Sequence, residues 1–242
     1  MSFIKRILVP LIFLANSTYA LAGVQIGATR VIYEEQKQDA TLKIKNPDTS
    51  SNYLIQSWVE PLLNKSSASN DVKSAKTVKT KTPFVITPPL FSIASTEENI
   101  LRIIHNGTAL PSDRESIFLL HIKAIPETEK KNTNMMVFSV KSTLKLIYRP
   151  EMLSGDKAVR AYKKITFKKQ GTQLIATNST PYYLTFSSLS AEGSDVYIKN
   201  NSMLAPHTSE SYDLGSHKNA STVSWTTIGD AGEITPAETA KL

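Results

Sequence analysis

The stretch Met135–Tyr148 reads MMVFSVKSTLKLIY, and its alternation decides what kind of protein this is. Met136, Phe138, Val140, Leu144 and Leu146 fall on one side of a two-residue period, and Lys141 and Lys145 on the other. That period belongs to a β-strand, whose successive side chains point to opposite faces. Arg149-Pro150 closes the strand, because proline restricts the residue before it and has no N–H to give to a ladder. Periodicity leaves open whether the apolar side faces this protein's own core or a partner.

The segments before it have the same character. β-Branched and aromatic runs recur at Thr29–Tyr33, Ala40–Lys45, Tyr53–Val59, Phe84–Thr87, Ile100–Ile104 and Ile117–Ala124, each predicted as a strand. Asn46-Pro47-Asp48, Asn106-Gly107 and Pro111-Ser112-Asp113 supply turns, and no segment holds a 3.6-residue apolar period over four turns. Short strands at this spacing predict an all-β sandwich. Beyond Pro150 a second series follows: Ile165–Lys168, Gln173–Thr177, Tyr182–Leu189, Val196–Ile198, Ser211–Leu214 and Val223–Ile228. Two β domains are expected, residues 23–149 and 150–242. Asn64–Lys81, crowded with Lys, Ser, Thr and Asn, is expected to be a mobile loop, with a contact role as the alternative.

Met1–Gly23 places Lys5 and Arg6 before an apolar run from Ile7 to Leu14 and ends in Ala20-Leu21-Ala22. This is the pattern of a secretory signal peptide, with cleavage expected after Ala22. Its apolar run is far short of the ~20 residues a spanning helix needs. The whole chain has 242 residues and a net charge of +7; Lys5 and Arg6 leave with residues 1–22 and no acid does, so the mature charge is +5. The basic residues are scattered along strand-like segments rather than gathered in a patch, which argues against a nucleic-acid partner. There is no cysteine, hence no disulfide, thiolate nucleophile or Cys-ligated metal. With four His and no HExxH, a His-rich metal site is not expected, and no cofactor is called for.

Seven segments in order, Thr29-Arg30-Val31-Ile32-Tyr33, Tyr53-Leu54-Ile55-Gln56-Ser57-Trp58, Thr87-Pro88-Pro89-Leu90-Phe91, Asp113-Arg114-Glu115-Ser116, Lys123-Ala124-Ile125-Pro126, Leu146-Ile147-Tyr148-Arg149-Pro150 and Thr180-Pro181-Tyr182-Tyr183, together resemble the periplasmic chaperones of the chaperone/usher pilus pathway. The resemblance covers the mature chain and, in the absence of Cys, points to the short-loop subgroup. It implies two immunoglobulin-like sandwiches at an angle with a cleft between them. Two basic cleft residues, here Arg30 and Lys145, would anchor the C-terminal carboxylate of a pilus subunit. A guanidinium grips a carboxylate bidentately and an ammonium adds a point charge, each bond contributing about 1.5–3 kcal/mol.

By the same resemblance Met136, Phe138 and Val140 are lent to a subunit that lacks its own last strand, an instance of strand addition already known for pilins. Full burial of three such side chains is worth about 5–9 kcal/mol before ordering costs. Glu115, Arg149 and Asp230 map onto a charged interdomain cluster. The implied partners are pilus subunits and an outer-membrane usher, with no ATP and no membrane insertion; free chaperone has the option of self-association through the exposed strand. The sequence departs from the family at Ala205-Pro206-His207-Thr208-Ser209, where a Gly-containing turn is expected, and in the longer Asn64–Lys81 loop.

An enzyme is the first rival reading. Ser142-Thr143-Leu144-Lys145 and Ser154-Gly155-Asp156-Lys157 match Ser-x-x-Lys, but that pair needs a helical turn, and neither Ser-Asp-Asn, Lys-Thr-Gly nor Gly-x-Ser-x-Gly occurs. The second is an exported immunoglobulin-like adhesin, suggested by Asn-x-Ser/Thr at Asn64, Asn106, Asn178, Asn200 and Asn219. A passive module has no use for a basic pair opposite an apolar strand.

Overall fold

The computed structural model describes residues 23–62, 82–127, 136–198 and 202–242. The Asn64–Lys81 loop, the N-terminal segment 1–22 and Met135 lie outside these residues. Among the described residues no helix is long and apolar enough to cross a membrane.

Among the described residues nine strands precede Pro150: β1 (Gln25–Ile26), β2 (Arg30–Glu34), β3 (Ala40–Lys45), β4 (Tyr53–Pro61), β5 (Phe84–Thr87), β6 (Leu90–Ile93), β7 (Glu98–His105), β8 (Ser116–Pro126) and β9 (Val140–Arg149). They form one sheet in the order β1-β3-β7-β5 and another in the order β2-β9-β8-β4-β6. The alternation in each strand buries one face between the sheets, where Ile44, Ile55, Leu101, Ile103, Leu120 and Leu146 are fully enclosed. Burying each such side chain is worth about 1.5–3 kcal/mol. Asn46, in a predicted turn, is itself buried because its amide donates to the Ser51 and Ala94 carbonyls and its oxygen accepts the Asp48 N–H.

Past Pro150 the chain makes two 3-10 turns, Glu151–Leu153 and Ala161–Lys164, and then enters β10 (Ile165–Gln170), β11 (Gln173–Asn178), β12 (Leu184–Ala191), β13 (Ser194–Asp195), β14 (Met203–Leu204), β15 (Ser209–Asp213), β16 (Thr222–Thr227) and β17 (Glu238–Lys241). The sheets are β10-β11-β15 and β13-β12-β16-β17, with β14 also on β12. They enclose a separate core around Leu174, Phe186, Leu189, Leu204, Val223 and Trp225. Trp225 is satisfied there by donating Nε1–H to the Tyr162 carbonyl at 3.1 Å. The molecule is thus two immunoglobulin-like sandwiches with a cleft between them.

Several expectations need correction. β1, β6, β14 and β17 are too short or too polar to stand out as runs, and Val196–Ile198 follows the short strand Ser194–Asp195 rather than forming one. The strand predicted from Met135 begins at Val140, with residues 136–139 irregular. The register explains this: Val140 pairs with Ala124, so Phe138 would fall opposite Pro126, the last residue of β8, which has no N–H to extend the ladder. In the Ala205–Ser209 turn, His207 takes the left-handed conformation, φ 56°, that a glycine would adopt at less cost.

Candidate functional site: an interdomain cation pair beside an open strand edge

The second and last strands of the first sandwich, β2 and β9, run parallel with Arg30 opposite Lys145. Inward-facing Val31 and Leu146 therefore turn Arg30 and Lys145 outward together, toward the second sandwich. Arg30 is almost wholly buried there: its Nη1 donates to the Ile228 carbonyl at 3.2 Å, while its buried Nε donates to no protein acceptor. Burial pulls its pKa down, opposed by Asp230, Glu233 and Glu115. The Lys145 ammonium donates to the Thr185 hydroxyl at 3.2 Å. Burial and then the neighbouring Arg30 charge push its pKa down to about 8. Among the described residues neither cation forms an ion pair with a carboxylate. Two adjacent, partly desolvated cations with no carboxylate in ion-pair contact can receive an anion, and spare donors suit a planar carboxylate.

Among the described residues, β9 pairs from Val140 to Leu144 with β8 on one side only; β2 joins the other side at Lys145. This leaves an unpaired backbone edge leading straight to the cation pair. The predicted apolar side divides along its length. Leu144 and Leu146 are 5% and 0% exposed in the protein's own core, whereas Val140, Phe138 and Met136 are 58%, 72% and 79% exposed. The last three are therefore free to enter another molecule. Ser142 and Lys145 sit on opposite faces of the same strand, which removes the nucleophile–base pairing that Ser-x-x-Lys requires.

Glu115, Arg149 and Asp230 do meet. Arg149 Nε donates to Glu115 Oε1 at 2.7 Å, and Nη1 and Nη2 donate to Asp230 Oδ2 and Oδ1 at 2.6 and 2.9 Å. Glu115 Oε2 accepts the Tyr183 N–H at 2.7 Å, and the guanidinium carbon lies 5.6 Å from the Tyr182 ring centre. Burial pushes the Glu115 carboxyl up while Arg149 and the Tyr183 N–H pull it back. The network crosses the domain junction from β9 to the loop after β16, so it fixes where Ile228 and Thr185 meet the cation pair. That loop approaches closely because Gly232, at φ 90°, has no Cβ; one added there would lie 2.6 Å from the Thr29 hydroxyl. Between the sandwiches a hollow of about 360 Å³ is lined by Arg30, Arg149, Tyr162, Tyr182, Ile228 and Asp230 among others.

Residues 23–154 match the family described as "Pili and flagellar-assembly chaperone, PapD N-terminal domain", and residues 160–239 match "Pili assembly chaperone PapD, C-terminal domain". This chain belongs to the pilus-assembly chaperone family. It is 38% identical to the chaperone protein FocC of Escherichia coli over 218 residues, 88% of each chain. The solved periplasmic chaperone SfaE is 36% identical with a TM-score of 0.69, the match covering 89% of this chain and 97% of that one. A chain of the Salmonella enterica complex of the SafA pilin with the SafB chaperone superposes with a TM-score of 0.74 at 26% identity, covering 93% of this chain and 99% of that one.

For a pilus-assembly chaperone the candidate residues thus fall into three groups that the fold brings into one region. Arg30 and Lys145 are adjacent, Met136, Phe138 and Val140 lead up to them, and Glu115, Arg149 and Asp230 brace the junction behind. Sequence reasoning missed Thr185, Ile228 and Gly232. Thr185 lies just past the quoted Thr180–Tyr183 segment and had a usable signal, as a hydroxyl on a strand beside a family segment. Ile228 acts through its carbonyl, which no side-chain pattern reveals.

Proposed function

We propose that the chain is a periplasmic chaperone that captures pilus subunits by lending its Met136 to Val140 strand as a missing strand and passes them to an outer-membrane usher. The single observation that carries this reading is the continuity, among the described residues, of an unpaired, apolar strand edge with two cations that no carboxylate ion-pairs. In the reading, a subunit strand ends with its carboxylate between Arg30 and Lys145 and lies against the open edge of β9. To end at the cleft it must run in the same direction as β9. Backbone pairing supplies affinity, Met136, Phe138 and Val140 fill the subunit's groove, and the cation pair sets the register.

Subunit folding provides the driving free energy, so no nucleotide or cofactor takes part and the role is not enzymatic. Residues 1–22 act as a signal that is cleaved after Ala22, consistent with a family match that begins at residue 23. The functional units are residues 23–149 and 150–242, hinged at Pro150. Without a subunit, the same open edge is available to a second copy, which would protect it from aggregation.

The test is co-expression with a strand-deficient pilus subunit and recovery of the complex. Arg30→Ala is expected to fold normally yet weaken capture by about 2–5 kcal/mol, the range for truncating one partner of a buried charge pair. Undiminished recovery of complex with this variant would overturn the anchor.

A further inference from the structure

Lys123 on β8 and Lys141 on β9 are directly opposite each other in the antiparallel ladder, on the outer face that also carries Lys145. Like charges in such a pair repel. Neither ammonium has a carboxylate within ion-pair distance among the described residues. Glu60 is the acid that acts on Lys141, but its two oxygens accept Trp58 Nε1–H at 2.9 Å and face His121 Nε2 at 3.1 Å. Across the sheet the row reads Gln56, Lys123, Lys141, and then the open edge of β9. Lys123 has neutral Gln56 on its other side. Repulsion from Lys123 biases the Lys141 side chain toward the one neighbour the row lacks.

We propose that Lys141, backed by Lys123, selects subunits carrying an acidic side chain about four residues before the C-terminus. This rests on the capture reading above. If the carboxylate lies at Arg30 and Lys145 and the partner strand runs parallel to β9, the partner residue beside Lys141 is four positions upstream of the one beside Lys145. Side chains opposite each other on neighbouring strands are ~5 Å apart at Cβ, within reach of a Glu or Asp to an ammonium. An acid there adds an attraction and also relieves the Lys123–Lys141 repulsion. A lysine there would complete a row of three cations. Both effects are solvent-exposed, so their combined size is about two- to tenfold in affinity and shrinks with salt.

The test uses fluorescently labelled peptides that end in a free carboxylate, alternate apolar residues, and carry Glu, Gln or Lys at the fourth position before the last. Their binding to the mature full-length chain and to Lys141→Glu is read by anisotropy at low and high salt. The expected order for the native chain is Glu over Gln over Lys, reversed for Lys141→Glu, with both preferences compressed at high salt. Lys141 is exposed, so Lys141→Glu is expected to fold, which its thermal midpoint checks. Equal binding of the Glu and Lys peptides, with both still weakened by C-terminal amidation, would overturn the selectivity and leave the carboxylate anchor standing. Insensitivity to amidation would remove the anchor itself, and with it the register on which the selectivity depends.

Discussion

Lys145 offers the most direct test of the cleft, because its ionisation should be visible in binding. In the free protein burial and Arg30 push its pKa down to about 8. A carboxylate placed between the two cations favours the charged ammonium and raises that pKa. Binding therefore takes up a proton, and the sign follows. Affinity is full below pH 8, where Lys145 is already charged, and declines as pH rises above 8 by up to about tenfold per unit until the pKa of the complex is reached. Between pH 7 and 9.5 the loss is about 30-fold if the complex titrates above that range. The assay is titration calorimetry with a subunit-derived peptide from pH 6.5 to 9.5. Lys145→Arg should flatten the profile, because a guanidinium stays charged throughout, and an amidated peptide should show no such decline. Stability of the free protein runs the other way: the unfolded lysine holds its proton up to about pH 10.5 while the folded one releases it near 8, so stability gains with pH between those values. A flat profile for the native chain, or an equal decline with the amidated peptide, would refute the account of the site.

Three further outcomes follow from the same geometry. Arg149→Met leaves Glu115 buried with only the Tyr183 N–H as donor and should cost about 3–5 kcal/mol in urea denaturation, whereas Asp230→Asn, at a carboxylate 44% exposed, should cost about 1 kcal/mol; equal costs would contradict the burial asymmetry. Phe138→Glu should abolish subunit capture, since a carboxylate would enter an apolar groove, and leave stability within about 0.5 kcal/mol because the ring is exposed in the free protein; unfolding of the variant would mean that Phe138 belongs to the chaperone's own core. Gly232→Ala should destabilise by about 1–3 kcal/mol through its left-handed backbone and the contact with Thr29, with partial recovery on adding Thr29→Ala; no recovery would show that the close approach is not what requires glycine.

Much of this was legible in the chain. Alternation marked the long strands, and the Pro150 break separated two series that became separate cores. The parts that were not legible have specific causes. Two-residue strands such as Gln25–Ile26 carry no period, and Glu238–Lys241 pairs as an edge with a largely polar face. The start of β9 was misplaced because apolar alternation continues through Phe138 although the ladder stops at Pro126. The Ile228 carbonyl and Gly232 contribute backbone and the absence of a side chain, neither of which has a residue-type signature.

By itself the sequence determined the class of local structure, the sidedness of each strand and the identity of the charges, because these depend on period, propensity and composition within a few residues. Only the tertiary structure decided that Arg30 and Lys145, far apart in the chain, are neighbours in a parallel pair, and that Val140 is bare while Leu144 and Leu146 on the same side are covered. A two-residue period says which way a side chain points; what stands in front of it is set by strands brought in from elsewhere in the chain.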